Sequence, residues 1–337
     1  MQTQFTFLRR YSKFLCIITL FLIALGALVK STESGLSVPD WPTTYGKFMF
    51  AYPLNKMTGG IKYEHTHRML ASVVGLLTLF LTIWLLRIKQ APVWIKRLGI
   101  FAFVTVVLQG VLGGLTVMFF LPVWLSTFHG VLAQTFFLIV ILMAYGLSIE
   151  RQQRWKMEEE SFNPQVLRLA FLLMVMVYIQ LIIGNIMRHA QAGLAIPDFP
   201  TMGWSFFPTF DDAWLQRINA WRFENNLDPV NMGQVMIHLT HRFWALLILV
   251  NVLWLNHVVY HECLDRPMIL KTVYWLNVAV ILQIMLGIST VLSHKEVYTT
   301  TAHVTTGAIV LGLSFLMVLR ASPLTWRQFK AVLTKNS

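Results

Sequence analysis

The chain has 337 residues, 56% hydrophobic and 12% charged, with a formal net charge of +12 and a mean hydropathy of +0.61. Soluble domains are about 45–50% apolar and about 25% charged, so the expected solvent is lipid. Lys and Arg stand at the ends of apolar runs, as in membrane topology signals, so the positive charge does not point to nucleic acid.

In chain order, Arg9, Arg10 and Lys13 lead into an apolar run at 14–30. It is expected to be a retained first helix, not a cleaved signal peptide, because it runs straight into a motif that recurs later. A span needs about 20 apolar residues, and further candidates lie at 66–87, 98–119, 124–147, 168–187, 236–256, 271–292 and 301–319. Basic residues collect at the N-terminus, in 87–97, 150–168 and 257–271, and in the tail with Arg320, Arg327, Lys330 and Lys335. Eight spans then put both termini in the cytoplasm and the long loops 31–63 and 188–235 outside. The run Glu158–Glu160 reads as a solvated cytoplasmic loop, and the absence of a long transit segment favours a bacterial plasma membrane. Cys16 and Cys263 stand far apart, with no CxxC or CxxCH. That excludes covalent c-type heme attachment and a cysteine metal site.

The chain repeats. GALVKSTESGLSVPDWP at 26–42 aligns with GNIMRHAQAGLAIPDFP at 184–200 at an offset of 158. EHTHRMLA at 64–71 aligns with HLTHRFWA at 238–245 at an offset of 174. LQGVLGGLTV at 108–117 and LQIMLGISTV at 282–291 share that offset, as do His129 and His303. The change of offset is an insertion in the second outer loop, where 211–226 reads as an amphipathic helix on the outer surface. Four spans per half give an all-α integral membrane protein of two pseudo-symmetric four-helix bundles, a parallel repeat. Residues 1–150 form the N-terminal bundle and 151–337 the C-terminal bundle.

Ionisable groups inside a bilayer are costly and mark function. His67, His129, His241 and His303 each fall in the first turns of a span entered from outside, at similar depth. Each half carries one on its second helix and one on its fourth, as two axial imidazoles on heme iron require. Zinc is the rival, but neither half offers an obvious third or fourth ligand. His65 faces away from His67. His257, His261 and His294 read as loop residues at the surface, and His189 fits either role.

Glu64 precedes His67 by one turn on the same face, and its counterpart is His238. A carboxylate beside one heme site and not the other suggests reaction in the first half and an electron-transfer or structural cofactor in the second. Arg68 and Arg242 follow the candidate ligands and suit propionates or snorkelling at the membrane edge. Snorkelling is the leading reading for Lys30 and Arg188. The Gly-Leu-x-x-Pro-Asp-[Trp/Phe]-Pro loops read as structural, with Asp40 and Asp198 alternatively bonding a heme-site group. Gln109 and Gln283 read as bridges between helices.

These segments, with F-H-G at 128–130, T-H-R at 240–242 and A-H-V-T-T-G at 302–307, resemble the heme A synthase family over nearly the whole chain. The resemblance implies oxidation of the C8 methyl of heme O to a formyl group, giving heme A for terminal oxidases. It passes through a hydroxymethyl stage, with electrons leaving through the half that binds heme b. It implies His67 and His129 at the substrate heme, His241 and His303 as ligands of a heme b cofactor, and Glu64 in the oxidation. Arg68 and Arg242 remain candidate propionate contacts. Expected partners are heme O, heme O synthase, a quinone or other membrane electron acceptor and the lipid bilayer, with a homo-oligomer open and nucleic acid excluded. Some relatives carry a cysteine pair in an outer loop; this chain has none in 31–63 or 188–235. The alternatives are a non-catalytic di-heme b-type electron carrier, whose hemes would usually stack across both leaflets, and a repeat-built transporter, which would show broken helices at the midplane.

Overall fold

The computed structural model describes residues 2–156 and 163–323. The run Glu158–Glu160 and the basic residues Arg327, Lys330 and Lys335 lie outside the described residues. Ten α-helices and no strand occur among them: α1 (Gln2–Ser31), α2 (Gly60–Arg87), α3 (Val93–Met118), α4 (Val123–Gly146), α5 (Ile149–Lys156), α6 (Pro164–His189), α7 (Asp212–Glu224), α8 (Met232–Glu262), α9 (Pro267–Leu292) and α10 (Val297–Ala321). Eight of these are long and apolar enough to cross a membrane, and each contains one expected span but for Phe119 and Leu147, which lie just past the ends of α3 and α4. The chain is a multi-pass membrane protein.

The helices outrun the apolar runs because polar turns continue the backbone hydrogen bonding that a lipid-spanning segment must keep within itself. Helix α8 extends to Glu262, so His257 and His261 sit on its exposed last turns instead of in a loop. Helix starts carry recognisable stops and caps. Pro92 and Pro122 precede α3 and α4. Asn163 caps α6 with Pro164 in its first turn, and Asn231 and Gln234 form a reciprocal capping box on α8.

In the first half α2 packs on α1 and α3, and α4 packs on α3 and α1, so α2 and α4 occupy opposite corners. In the second half α6, α8, α9 and α10 repeat that pattern, with α8 and α10 at opposite corners. One buried apolar cluster draws mainly on α1–α4 around Leu81, Leu85 and Met143. Another draws on α6 and α8–α10 around Leu173, Leu255 and Leu276. The halves meet through α1 on α10, α6 on α4 and α4 on α10. Polar links cross between spans: Thr82 Oγ1 donates to the Gly99 carbonyl at 2.8 Å, and Asn256 and Asn277 exchange hydrogen bonds at 2.8 and 2.7 Å.

At the end away from the four histidines, Arg320 pairs with Glu150 at 2.7 Å, and Arg154 reaches the Tyr145 hydroxyl and the Leu319 and Ser322 carbonyls. At the histidine end the long loops fold over the bundles. Helix α7 is the helix expected at 211–226. Its Trp214 and Ile218 are fully buried with Ala195, Ile196 and Val230 in a third apolar cluster, so its apolar face packs within the second long loop.

Candidate functional site

His67, His129, His241 and His303 all fall within the first three turns of α2, α4, α8 and α10. Each imidazole lies against a glycine of the preceding span. A Cβ on Gly26, Gly113 or Gly287 would stand 3.0 Å from Cε1 of His67, His129 or His303, and one on Gly184 would stand 3.2 Å from Cε1 of His241. Only a residue without a side chain lets a ring approach a helix backbone so closely. These glycines were legible in the repeat, since Gly26 and Gly184 recur at 158 and Gly113 and Gly287 at 174, but spacing alone does not say that a ring lies on them.

Glutamines one turn before three of the glycines add to this cradle. The amide of Gln109 donates to the His129 carbonyl at 2.9 Å, and that of Gln180 to the His241 carbonyl at 2.9 Å. The amide of Gln283 is 3.5 Å from His303 Nε2. The glutamines thus join neighbouring spans, as read from the sequence for Gln109 and Gln283; Gln180 is an addition, and Leu22 takes its place before Gly26.

Nδ1 of all four histidines is buried without a hydrogen-bond partner. Buried polar atoms in native proteins are nearly always satisfied; Nδ1 of each ring lies against the glycine of the preceding span, which leaves Nε2 as the nitrogen that can meet a ligand between the helices. The His241 and His303 ring centroids are 6.5 Å apart. A metal–imidazole bond of about 2 Å on each side, with each ring centre about 1 Å further back, places two such rings roughly 6 Å apart. No three His, Cys, Asp or Glu converge on a metal position among the described residues. A tetrahedral zinc site lacks its ligands here, whereas two imidazoles on opposed helices suit a metal whose equatorial positions a porphyrin fills. The residues fit a heme.

Glu64 and His238 occupy matching cradles. The buried Glu64 accepts from the Val38 amide at 2.8 Å and from Arg68 Nη2 at 2.5 Å. His238, equally buried, faces the Ile196 amide at 3.2 Å through Nδ1 and Arg242 Nε at 3.2 Å through Nε2. Val38 and Ile196, like Arg68 and Arg242, are repeat mates. A carboxylate accepts from both donors; a neutral imidazole has one acceptor nitrogen. The second half therefore holds an imidazole in a pocket with two donors, and the first half fills that pocket with the group matching both.

The arginines also staple the loops. Arg68 donates to the carbonyls of Val38 at 2.8 Å and Asp40 at 2.6 Å. Arg242 donates to those of Ile196 at 3.1 Å and Asp198 at 2.8 Å. This is an observed role beside the expected propionate contact, and any propionate would share these donors. Asp40 accepts from Thr43 Oγ1 at 2.5 Å and from the Tyr45 and Gly46 amides at 2.7 and 2.9 Å. Asp198 does the same with Thr201, Gly203 and Trp204. Both aspartates thus close their own loops, as the structural reading expects. Partial burial pushes the Asp40 carboxyl up, but the hydrogen bonds from Thr43, Gly46 and Tyr45 outweigh it and hold it below the usual range.

His65 turns from His67, packing on Tyr52 and the Thr44 hydroxyl at 3.1 Å under the first loop. His294 is exposed between α9 and α10 and meets Trp221 edge-on. Arg188 does not snorkel: it joins α6 to α1 through the Ala27 carbonyl and Ser31 Oγ. Lys30 pairs with Glu33 at 3.3 Å.

The sequence matches the COX15-CtaA model, described as cytochrome oxidase assembly protein, over residues 9–315. The chain belongs to this family. It is 27% identical to a heme A synthase of Pelagibacter ubique over 91% of the chain and 96% of that relative. It is 26% identical to one of Wolbachia sp. subsp. Brugia malayi over 91% and 95%, and 25% identical to one of Halalkalibacterium halodurans over 86% and 87%. The matches thus run along most of the length of each relative.

Proposed function

We propose that the chain is a heme A synthase, an oxidoreductase that converts the C8 methyl of heme O into the formyl group of heme A. The observation that carries the reading is the matched pair of cradles: equivalent histidine pairs on equivalent glycines, with a carboxylate beside one and an imidazole beside the other. The first half, residues 1–150, takes the substrate between His67 and His129. The second, residues 151–337, takes heme b between His241 and His303, and that heme supplies one-electron redox chemistry when bound.

Taking a methyl group to a formyl group removes hydrogen from carbon and adds one oxygen, which water supplies when the electrons pass to a membrane acceptor, and the released protons need an acceptor close by. Glu64 is one turn from His67, and its oxygens are fixed by the Val38 amide and Arg68. It accepts such a proton, and the Arg68 guanidinium stabilises the carboxylate until then. His238 leaves the second half without a carboxylate at the position of Glu64, which suits a cofactor that must not react. The loops over the histidine end, stapled by Arg68 and Arg242, cover the sites. Both termini face the cytoplasm and the sites face outside; heme O synthase supplies the substrate, and a quinone or similar membrane acceptor takes the electrons.

The test is expression with a source of heme O, followed by extraction and chromatography of the hemes. Heme A in the extract is expected. Unaltered heme O beside two bound hemes would instead make the chain a di-heme electron carrier.

A further inference from the structure

Beside His129, Leu112 of α3 and Trp124, Leu125, Phe128, Val131 and Leu132 of α4 line a cavity of about 290 Å³. A pocket for a drug-sized ligand spans about 300–1,000 Å³, so this one suits a hydrocarbon segment better than a macrocycle. Its one polar lining residue, Thr135, is already hydrogen-bonded to Tyr178 at 2.6 Å. The cleft thus asks for no polar partner. It is open to lipid along Trp124 and Phe128, 63% and 61% exposed. It lies beside the candidate heme site: Leu125 and Leu132 lie one turn to either side of His129, and Leu112 adjoins Gly113, on which the His129 ring rests.

The second half does not repeat this lining. The repeat mates of Trp124, Leu125, Phe128, Val131 and Leu132 are Tyr298, Thr299, Ala302, Thr305 and Thr306. An apolar wall in one half has become a hydroxyl-bearing face in the other, although glycine, glutamine and histidine are retained around it. The difference between the two faces is the difference between the two hemes: heme O carries a long isoprenoid side chain and heme b carries none. We propose that the cleft between α3 and α4 beside His129 binds the isoprenoid side chain of heme O, so that the half built for the substrate selects it by its tail. This rests on the substrate assignment above. The tail enters sideways from the bilayer past Trp124 and Phe128, where such a lipid-soluble molecule resides.

The experiment uses the full chain with its heme b, in lipid nanodiscs, titrated with heme O or with protoheme, which lacks the tail, and followed by absorbance. Wild type is expected to bind heme O more tightly than protoheme. Val131→Trp fills the cleft from α4 and Leu112→Trp fills it from α3. Each should weaken heme O about ten-fold or more, the loss of a few buried methylene groups, and leave protoheme binding unchanged. An unaltered spectrum of the resident heme b shows that both variants fold. Equal heme O affinity in wild type and both variants would overturn the tail site, and loss of a co-purifying lipid from such variants would assign the cleft to an acyl chain. Wild type that makes heme A yet binds the two hemes equally would overturn tail selection and leave the enzyme assignment standing. Wild type that binds neither heme in its first half would overturn the substrate assignment, and the tail site with it.

Discussion

At the scale of single residues, the informative contacts are those where one atom more or less changes the outcome. Gly287 is such a place. An alanine in a helix interior is usually worth about 1 kcal/mol over glycine, so Gly287→Ala should leave α9 as stable or more so. Its Cβ would press on the His303 ring at 3.0 Å, and a ring displaced by a few tenths of an ångström misses its place. The expected result is normal expression and thermal stability with the low-spin b-type absorbance reduced several-fold. Undiminished absorbance would show that the glycine only packs. Glu64→Gln makes the complementary change. The amide keeps the shape and an acceptor oxygen for Val38 or Arg68 but loses the charge, so both hemes should still bind while heme A falls to background in extracted pigment. Wild-type heme A output from this variant would refute the proton-acceptor role.

Elements show why the sequence was readable where it was. All eight spans follow from apolar run length, because a lipid-facing helix needs apolar length before any detail of packing. Their ends were misjudged where polar turns prolong them, as at His257 and His261 on α8. The amphipathic pattern of 211–226 identified α7 but not its neighbours, because periodicity does not distinguish a membrane surface from the buried cluster of Ala195, Ile196 and Val230. Arg68 and Arg242 were ambiguous for a related reason: their partners are backbone carbonyls, which any sequence supplies. The first long loop depends on Asp40, and its pH behaviour follows from the sign of its shift. A carboxyl held below its usual value stabilises the loop above the unfolded value of about 3.9, and that contribution is lost as pH falls through the lower, folded value. Exchange protection of the Tyr45 and Gly46 amides, corrected for intrinsic rates, should therefore be flat from neutral pH to about 5 and collapse below the ordinary carboxylate range. Asp40→Asn should weaken it at every pH and remove most of the dependence. A wild-type profile as flat as the variant's would show that the loop does not rest on this charge.

For the whole molecule, the question is whether the halves differ in one residue or in their design. The matched cradles make a direct trial possible. His238 meets two donors with one acceptor nitrogen, so His238→Glu puts into that pocket the group that the first half already uses, and the protein should tolerate it with no loss of thermal stability. If a carboxylate beside a histidine pair were sufficient for chemistry, the double variant Glu64→Gln with His238→Glu would carry a working site in its second half. The expected result is no heme A. The apolar lining of the cleft beside His129 is not repeated beside His303, where Tyr298, Thr299, Thr305 and Thr306 stand instead, so substrate would still dock where the acid is missing. The double variant should bind both hemes, retain the resident b-type spectrum and accumulate unreacted heme O. Heme A from this protein would mean that the halves are interchangeable and that the carboxylate alone assigns their roles. Its absence, with both hemes bound, would place the division of labour in the surroundings of the histidines as much as in Glu64.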